Sequence, residues 1–188
     1  MKTERVGIIG LDKVSGSIGL ALRAADMGLE ILGADRDKSI LSEAKKMGAL
    51  DKTSGSPLDV AKVADIIILS VPVTEQDAMF QIIGPDVQEH ALVVDLSPLK
   101  GPGLALAKEH LRQGHYVGAS PVLAAASLAE GRADIGAARA DLFANSVLCI
   151  MPSGAADPDA VKTTVNLGRV LGATPFFLDA YEYDSLMK

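Results

Sequence analysis

The chain has 188 residues, 48% hydrophobic and 22% charged, with a formal net charge of -6 and a single cysteine. That length holds one core-bearing domain or a domain and a fragment, and the apolar share excludes a disordered chain. The acidic balance without a basic cluster excludes a nucleic-acid partner, lone Cys149 excludes an internal disulfide framework and fits a reducing compartment, and no apolar run reaches the ~20 residues that cross a bilayer.

Short β-branched runs alternate with longer helical segments. Strands are predicted at Val6–Gly10, Glu30–Ala34, Asp65–Val71, Ala91–Asp95, Tyr116–Gly118, Val147–Met151 and Thr174–Leu178. "DIIILSV" and "ALVVDL" are apolar throughout, as strands covered on both faces are. Helices are predicted at Ser17–Met27, Ser39–Met47, Pro57–Val63, Pro98–Gln113 and Pro158–Leu171. Ser56-Pro57, Ser97-Pro98 and Asp157-Pro158 each place a capping oxygen before a proline, whose φ suits the first helical position. Repeated strand–helix–strand units predict an α/β fold with a doubly wound, mainly parallel Rossmann-type sheet and helices on both faces. The Ala-rich region 120–144 reads equally as helix or as a long functional loop. "DAYEYDSLMK" opens a helix that has little to pack against so close to the last residue. The charged start "MKTERVGIIG" carries too short an apolar stretch for a signal peptide, so a cytoplasmic protein is expected.

The first strand runs into "IIGLDKVSGSIGLAL". A dinucleotide-binding turn there has G-x-G-x-x-G, the second glycine admitting the pyrophosphate to the backbone. The corresponding residues are Gly10, Asp12 and Ser15, followed by Gly16. Gly10, Lys13, Ser15 and Gly16 are the candidate phosphate contacts. Asp35 ends the second strand where a carboxylate takes a ribose diol, favouring NAD, while the adjacent Arg36 leaves NADP open. Asp12 opposes both: two like charges ~4 Å apart at an effective dielectric of 20 repel by ~4 kcal/mol, unless the side chain turns away or pairs with Lys13.

The sequence resembles the prephenate/arogenate dehydrogenase family. The family opens with a stretch like IIGLGLIGGSIGLAL, matched here without a gap. "SVPV" (Ser70–Val73) resembles its strand-ending Ala/Thr-Pro-Val, and "DLSPLK" (Asp95–Lys100) its D-x-G-S-V-K. "VGASPVLAA" (Val117–Ala125) resembles G-G-H-P-M-A-G, "ARADLFANSVLCIMP" (Ala138–Pro152) the A-x-A-x-L-F segment, and "EYD" (Glu182–Asp184) the E-H-D. The resemblance implies a Rossmann domain over 1–178 carrying NAD or NADP, with 179–188 leading into a helical dimerisation domain and hence a possible homodimer. It implies oxidative decarboxylation of a small-molecule carboxylate in tyrosine biosynthesis, with Val71 and Pro72 beside the cofactor and Ser97, Lys100 and Ser120 at the substrate end.

The family's catalytic positions are substituted: its G-H-P histidine is Ser120, its G-S-V-K serine is Pro98, and its later histidine is Tyr183. General acid–base help is worth 10²–10⁴-fold, and serine without a partner does not supply it near neutral pH. His115 begins the strand that ends near Ser120, ~15 Å from it at ~3.3 Å per residue, and His90 and His110 read as surface residues. No metal-ligand spacing occurs. Lys100 reads either as a solvent-exposed cation in the first turn of a helix or as the holder of a substrate carboxylate. Three functions follow: an NAD(P)-linked dehydrogenase, a member that has lost catalysis and persists as a nucleotide- or small-anion-binding module, or an α/β domain whose crevice binds another small anion.

Overall fold

The computed structural model describes residues 4–128 and 131–187; residues 129 and 130 of the Ala-rich stretch and residue 188, the end of the segment 179–188 expected to lead into a helical domain, lie outside them. The elements alternate as β1 (Arg5–Ile9), α1 (Lys13–Ala24), β2 (Glu30–Ala34), α2 (Lys38–Met47), β3 (Lys52–Ser54), α3 (Pro57–Ala61), β4 (Ile66–Leu69) and α4 (Val73–Ile83). They continue with β5 (Leu92–Asp95), α5 (Lys100–His110), β6 (His115–Val122), α6 (Ala125–Leu128), β7 (Val147–Pro152), α7 (Pro158–Val170), β8 (Thr174–Phe177) and α8 (Ala180–Leu186).

The strands form one eight-stranded sheet in the order β3-β2-β1-β4-β5-β6-β7-β8. Every pairing is parallel except β6 with β7, whose antiparallel register sets Ser120 opposite Cys149. This is a doubly wound Rossmann-type sheet. Side-chain alternation builds a core on each face: Ile8, Ile68 and Val94 point to one cluster, and Ile9, Ile67, Leu69 and Val93 to the other. Chain order reverses between β1 and β4, so the loops after these strands diverge and leave a crevice at their carboxyl ends.

Local chemistry explains where helices start. Asp157 caps α7 through the Asp159 and Ala160 amides, with Pro158 at the first position as predicted. Two helix starts differ from the predicted ones, and two elements were not predicted. α1 begins at Lys13 rather than Ser17, because Asp12 serves as its cap. α5 begins at Lys100 rather than Pro98, because the Ser97 side chain is engaged by Asp95 and Leu99 instead of by the helix. β3 and α4 were not among the predicted elements; β3 is three residues long, and α4 starts on a proline without a side-chain cap.

α8 corrects the expectation that its helix lacks a packing surface. Ala180 and Tyr183 close a third apolar cluster with Cys149 and Met151, and α8 lies against α5. Cys149 is buried there, and burial pushes its thiol above the ordinary value, which suits a core residue rather than a nucleophile. No helix among the described residues is long and apolar enough to cross a membrane.

Candidate functional site

The crevice at the strand-order reversal has a volume of about 710 Å3. Of the candidate site residues, Gly10, Asp35, Arg36, Val71, Pro72 and Ser97 line it. Gly10 shapes its floor: φ is +84°, and a Cβ there would lie 1.9 Å from the Ser70 carbonyl oxygen. Ile9, Ile40, Val71, Pro72, Met79 and Leu96 supply apolar walls.

The turn after β1 is closed by its own groups. The Asp12 carboxylate accepts the Ser15 amide at 2.8 Å and the Ser70 hydroxyl at 3.0 Å. The Ser15 hydroxyl in turn accepts the Asp12 amide at 3.0 Å, completing a capping box. The Gly10 amide goes to the Ala34 carbonyl and the Leu11 amide to Asp35, at 2.8 Å. The Lys13 amide goes to the Ala133 carbonyl at 2.9 Å. A phosphate at a helix start needs such donors turned outward, and here the Asp12 carboxylate holds the Ser15 amide while Ala34, Asp35, the Ser15 hydroxyl and Ala133 take the others.

Three expected phosphate contacts are thus engaged within the protein. Lys13 is buried, and its ammonium donates to the Ser127 carbonyl at 3.1 Å. Ser15 is fully buried in the capping box with Asp12, and Gly16 lies beneath the Ala-rich segment, where a Cβ would meet Ile135 Cδ1 at 2.2 Å. That segment, α6 and a short 3-10 turn at Ile135–Ala137, is tied down by the Arg139 amide on Ser17 Oγ at 2.9 Å. Arg36 lines the crevice beside Asp35 and makes an exposed ion pair with Glu75 at 2.6 Å. Asp35 keeps its predicted place, with one oxygen on the Leu11 amide and the other on the Asp37 amide, at 2.8 Å each.

The substrate end is equally self-contained. Asp95 is fully buried and accepts the Ser97 amide, Ser97 hydroxyl, Gln76 amide and Tyr116 hydroxyl, at 2.9, 2.8, 2.8 and 2.7 Å. Burial and that carboxylate push the Tyr116 phenol far above its ordinary value, so it stays a donor. Gln76 gives its amide hydrogens to Asp95 and Ser97, leaving its buried Oε1 without a partner. The carboxylate's demand for donors sets that orientation, since the flipped amide would face oxygen with oxygen.

Lys100 corrects both expectations for it. It is 0% exposed, and its ammonium donates to the backbone carbonyls of Asp95 (2.9 Å), Ala119 (2.8 Å) and Ser97. All three of its donors are engaged, so it stitches β5 to β6 instead of facing a ligand. Burial lowers its pKa to about 8, with Asp95 and Asp184 opposing the fall. Asp184, from α8, supplies the cap that α5 lacks locally, accepting the Lys100 and Gly101 amides at 2.6 and 2.8 Å. Ser120 Oγ receives the Tyr183 hydroxyl at 2.7 Å. Sequence reasoning missed Asp12, Asp184, Gln76 and Tyr116 in these roles. Only Asp12 carried a local signal, an Asp-x-x-Ser capping pattern at the helix start.

Two histidines lie at the other edge of the sheet. His90 and His115 line a cleft at the amino ends of the strands, with His90 on Asp65 at 2.7 Å, and His110 pairs with Asp77 at 3.2 Å. Among the described residues no cluster suits a metal ion.

The sequence matches the family model described as prephenate dehydrogenase, nucleotide-binding domain, over residues 18–175. The chain belongs to that family. Among solved structures, prephenate dehydrogenase from Aquifex aeolicus superposes with a TM-score of 0.85 at 20% identity, over 96% of this chain and 63% of that one. Synechocystis arogenate dehydrogenase gives 0.83 at 21%, over 97% and 62%. The Aquifex aeolicus enzyme in complex with hydroxyphenyl propionate and NAD+ gives 0.83 at 18%, over 99% and 63%. At these identities the likeness is one of fold, and the chain spans about three fifths of the length of those structures. Among curated proteins, none matches the sequence.

The dinucleotide that the family implies fits this crevice only in part. Asp35 and the apolar walls suit a nucleoside. The diphosphate seat does not fit its guest, because the Asp12 carboxylate already holds the Ser15 amide and the Ser70 hydroxyl.

Proposed function

We propose that this chain is a small-molecule-binding domain of the prephenate dehydrogenase family that does not carry out the oxidative decarboxylation. One observation carries the reading: at the substrate end the position of the family's catalytic histidine is Ser120, bonded to Tyr183 rather than to any base. Pro98 offers no hydroxyl in place of the family's serine, and Lys100 has no donor left for a substrate carboxylate. Without a proton acceptor near the reacting hydroxyl, a loss of 10²–10⁴-fold follows from that term alone.

A second reading, an NAD- or NADP-dependent dehydrogenase of tyrosine biosynthesis in the cytoplasm, is favoured by the family match and by Gly10, Asp35, Val71 and Pro72 around the crevice. Residues 179–188 then lead into a helical domain that joins two copies, which the exposed Tyr181, Leu186 and Met187 of the α8 segment support. The test is direct. The full chain is incubated with prephenate or arogenate and with NAD or NADP, and the absorbance of reduced nicotinamide is followed. No turnover above the uncatalysed background is expected, and steady formation of reduced nicotinamide makes the second reading the right one.

A further inference from the structure

The misfit at the diphosphate seat defines a ligand class. Asp12 stands at the helix start where a dinucleotide presents its negative charges, and its two oxygens already take a backbone amide and a hydroxyl there. The rest of the lining adds to the same bias. Four carboxylates, Asp12, Asp35, Asp37 and Glu75, face the crevice against one guanidinium, Arg36, which Glu75 neutralises. Yet the crevice keeps apolar walls for a planar base and a carboxylate for a diol. Each Asp35 oxygen accepts one amide hydrogen and retains capacity for a hydroxyl.

We propose that Asp12 is the specificity-determining residue of this crevice, excluding the diphosphate of a dinucleotide and leaving a site for a nucleoside without phosphates. This rests on the reading of the chain as a binding domain and names what that domain discriminates. An uncharged ligand avoids the like-charge contact, while ADP or NAD must either displace the Asp12 cap or sit against it. A small anion, the third possibility raised by the sequence, meets the same repulsion.

The experiment is calorimetric titration of the full chain with adenosine, ADP and NAD at low salt, repeated on Asp12→Gly and Asp12→Asn. Asparagine keeps a capping acceptor while removing the charge, so it guards against a folding defect in the glycine variant, and circular dichroism checks both. The wild type is expected to bind adenosine at least tenfold more tightly than ADP or NAD. Asp12→Gly frees the Ser15 amide and Ser70 hydroxyl and is expected to tighten ADP and NAD by about 100-fold, with adenosine changed less than threefold. Asp12→Asn is expected to fall between the two. ADP or NAD binding to the wild type as tightly as adenosine overturns the proposal, as does an unchanged preference in both variants. If none of the three ligands binds any of the proteins, the nucleoside assignment is lost, while the absence of turnover with prephenate or arogenate is judged separately.

Discussion

Lys100→Met separates the work of a buried ammonium from that of its methylene stem. Methionine retains the apolar length but removes the donor that the carbonyls of Asp95, Ser97 and Ala119 share. A buried acceptor left without a partner costs about 1–3 kcal/mol, so three lose roughly 6 kcal/mol. Against this stands the ammonium's desolvation, which lowers its pKa from 10.5 to about 8 and by linkage destabilises the fold by about 3 kcal/mol at pH 7. The variant should therefore be about 3 kcal/mol less stable at pH 7. Its pH dependence is more telling. Between about pH 8 and 10.5 the unfolded lysine holds more protons than the folded one, so wild-type stability gains from Lys100 as pH rises, by about 2 kcal/mol from pH 7 to pH 9.5. Tyr116 and Cys149, whose folded pKa values are raised, act with the opposite sign but are present in both proteins. Urea unfolding at the two pH values should thus show the gap between wild type and variant widening from about 3 to about 5 kcal/mol. A gap that stays constant with pH would refute a buried ammonium at this position.

Asp184→Ala removes the remote cap of α5, two charge-assisted bonds at 2.6 and 2.8 Å, and should cost about 2 kcal/mol, read as a Tm lower by about 4–8 °C. Asp184→Asn, which keeps one acceptor, should lose about half of that in the same calorimetric scan. Gly10→Ala forces a Cβ into the Ser70 carbonyl at a positive φ and should destabilise by about 3 kcal/mol or more in urea, with Gly28→Ala, where a Cβ meets nothing within 4 Å, as the milder control. Ser120→His should add at most a trace of prephenate oxidation in the nicotinamide assay, because Tyr183 already holds that position and Pro98 leaves the partner hydroxyl missing. A gain of 100-fold there would show that one histidine is enough.

The sheet was legible because its strands are buried on both faces: "IIIL" and "LVV" are apolar at every position, as strands covered on both sides are. The crevice was legible for the same reason, since Gly10 and Asp35 sit at strand ends whose order follows from the βαβ repeat. What stayed hidden was the partnership of each polar side chain. Asp184 finds α5 across 84 residues, and Arg139 finds Ser17 across 122; such contacts carry no periodicity. Lys100 misled because a lysine in a helix's first turn reads as a solvated charge, whereas the converging carbonyls of β5 and β6 form a seat visible only after the strands pair. The Ala-rich segment likewise has no strong pattern of its own, and its role, covering the first turn of α1, depends on Gly16 leaving room for Ile135.

The turn after β1 and the region around Ser120 are closed by different devices, and this bears on how the proposed loss of the family chemistry could be reversed. At the turn after β1 the Asp12 carboxylate holds the Ser15 amide and the Ser70 hydroxyl, so a single substitution frees both. At the substrate end the closure is distributed: Tyr183 holds Ser120, Asp184 holds α5, Lys100 holds three carbonyls, and Asp95 gathers four donors. Each of these bonds would have to be released, in a buried network where a half-satisfied group costs more than an apolar one, before a polar side chain there turned toward a ligand. On the proposed reading, ligand selectivity at the first end is therefore open to change by one residue, while restoring catalysis at the second needs several bonds released together.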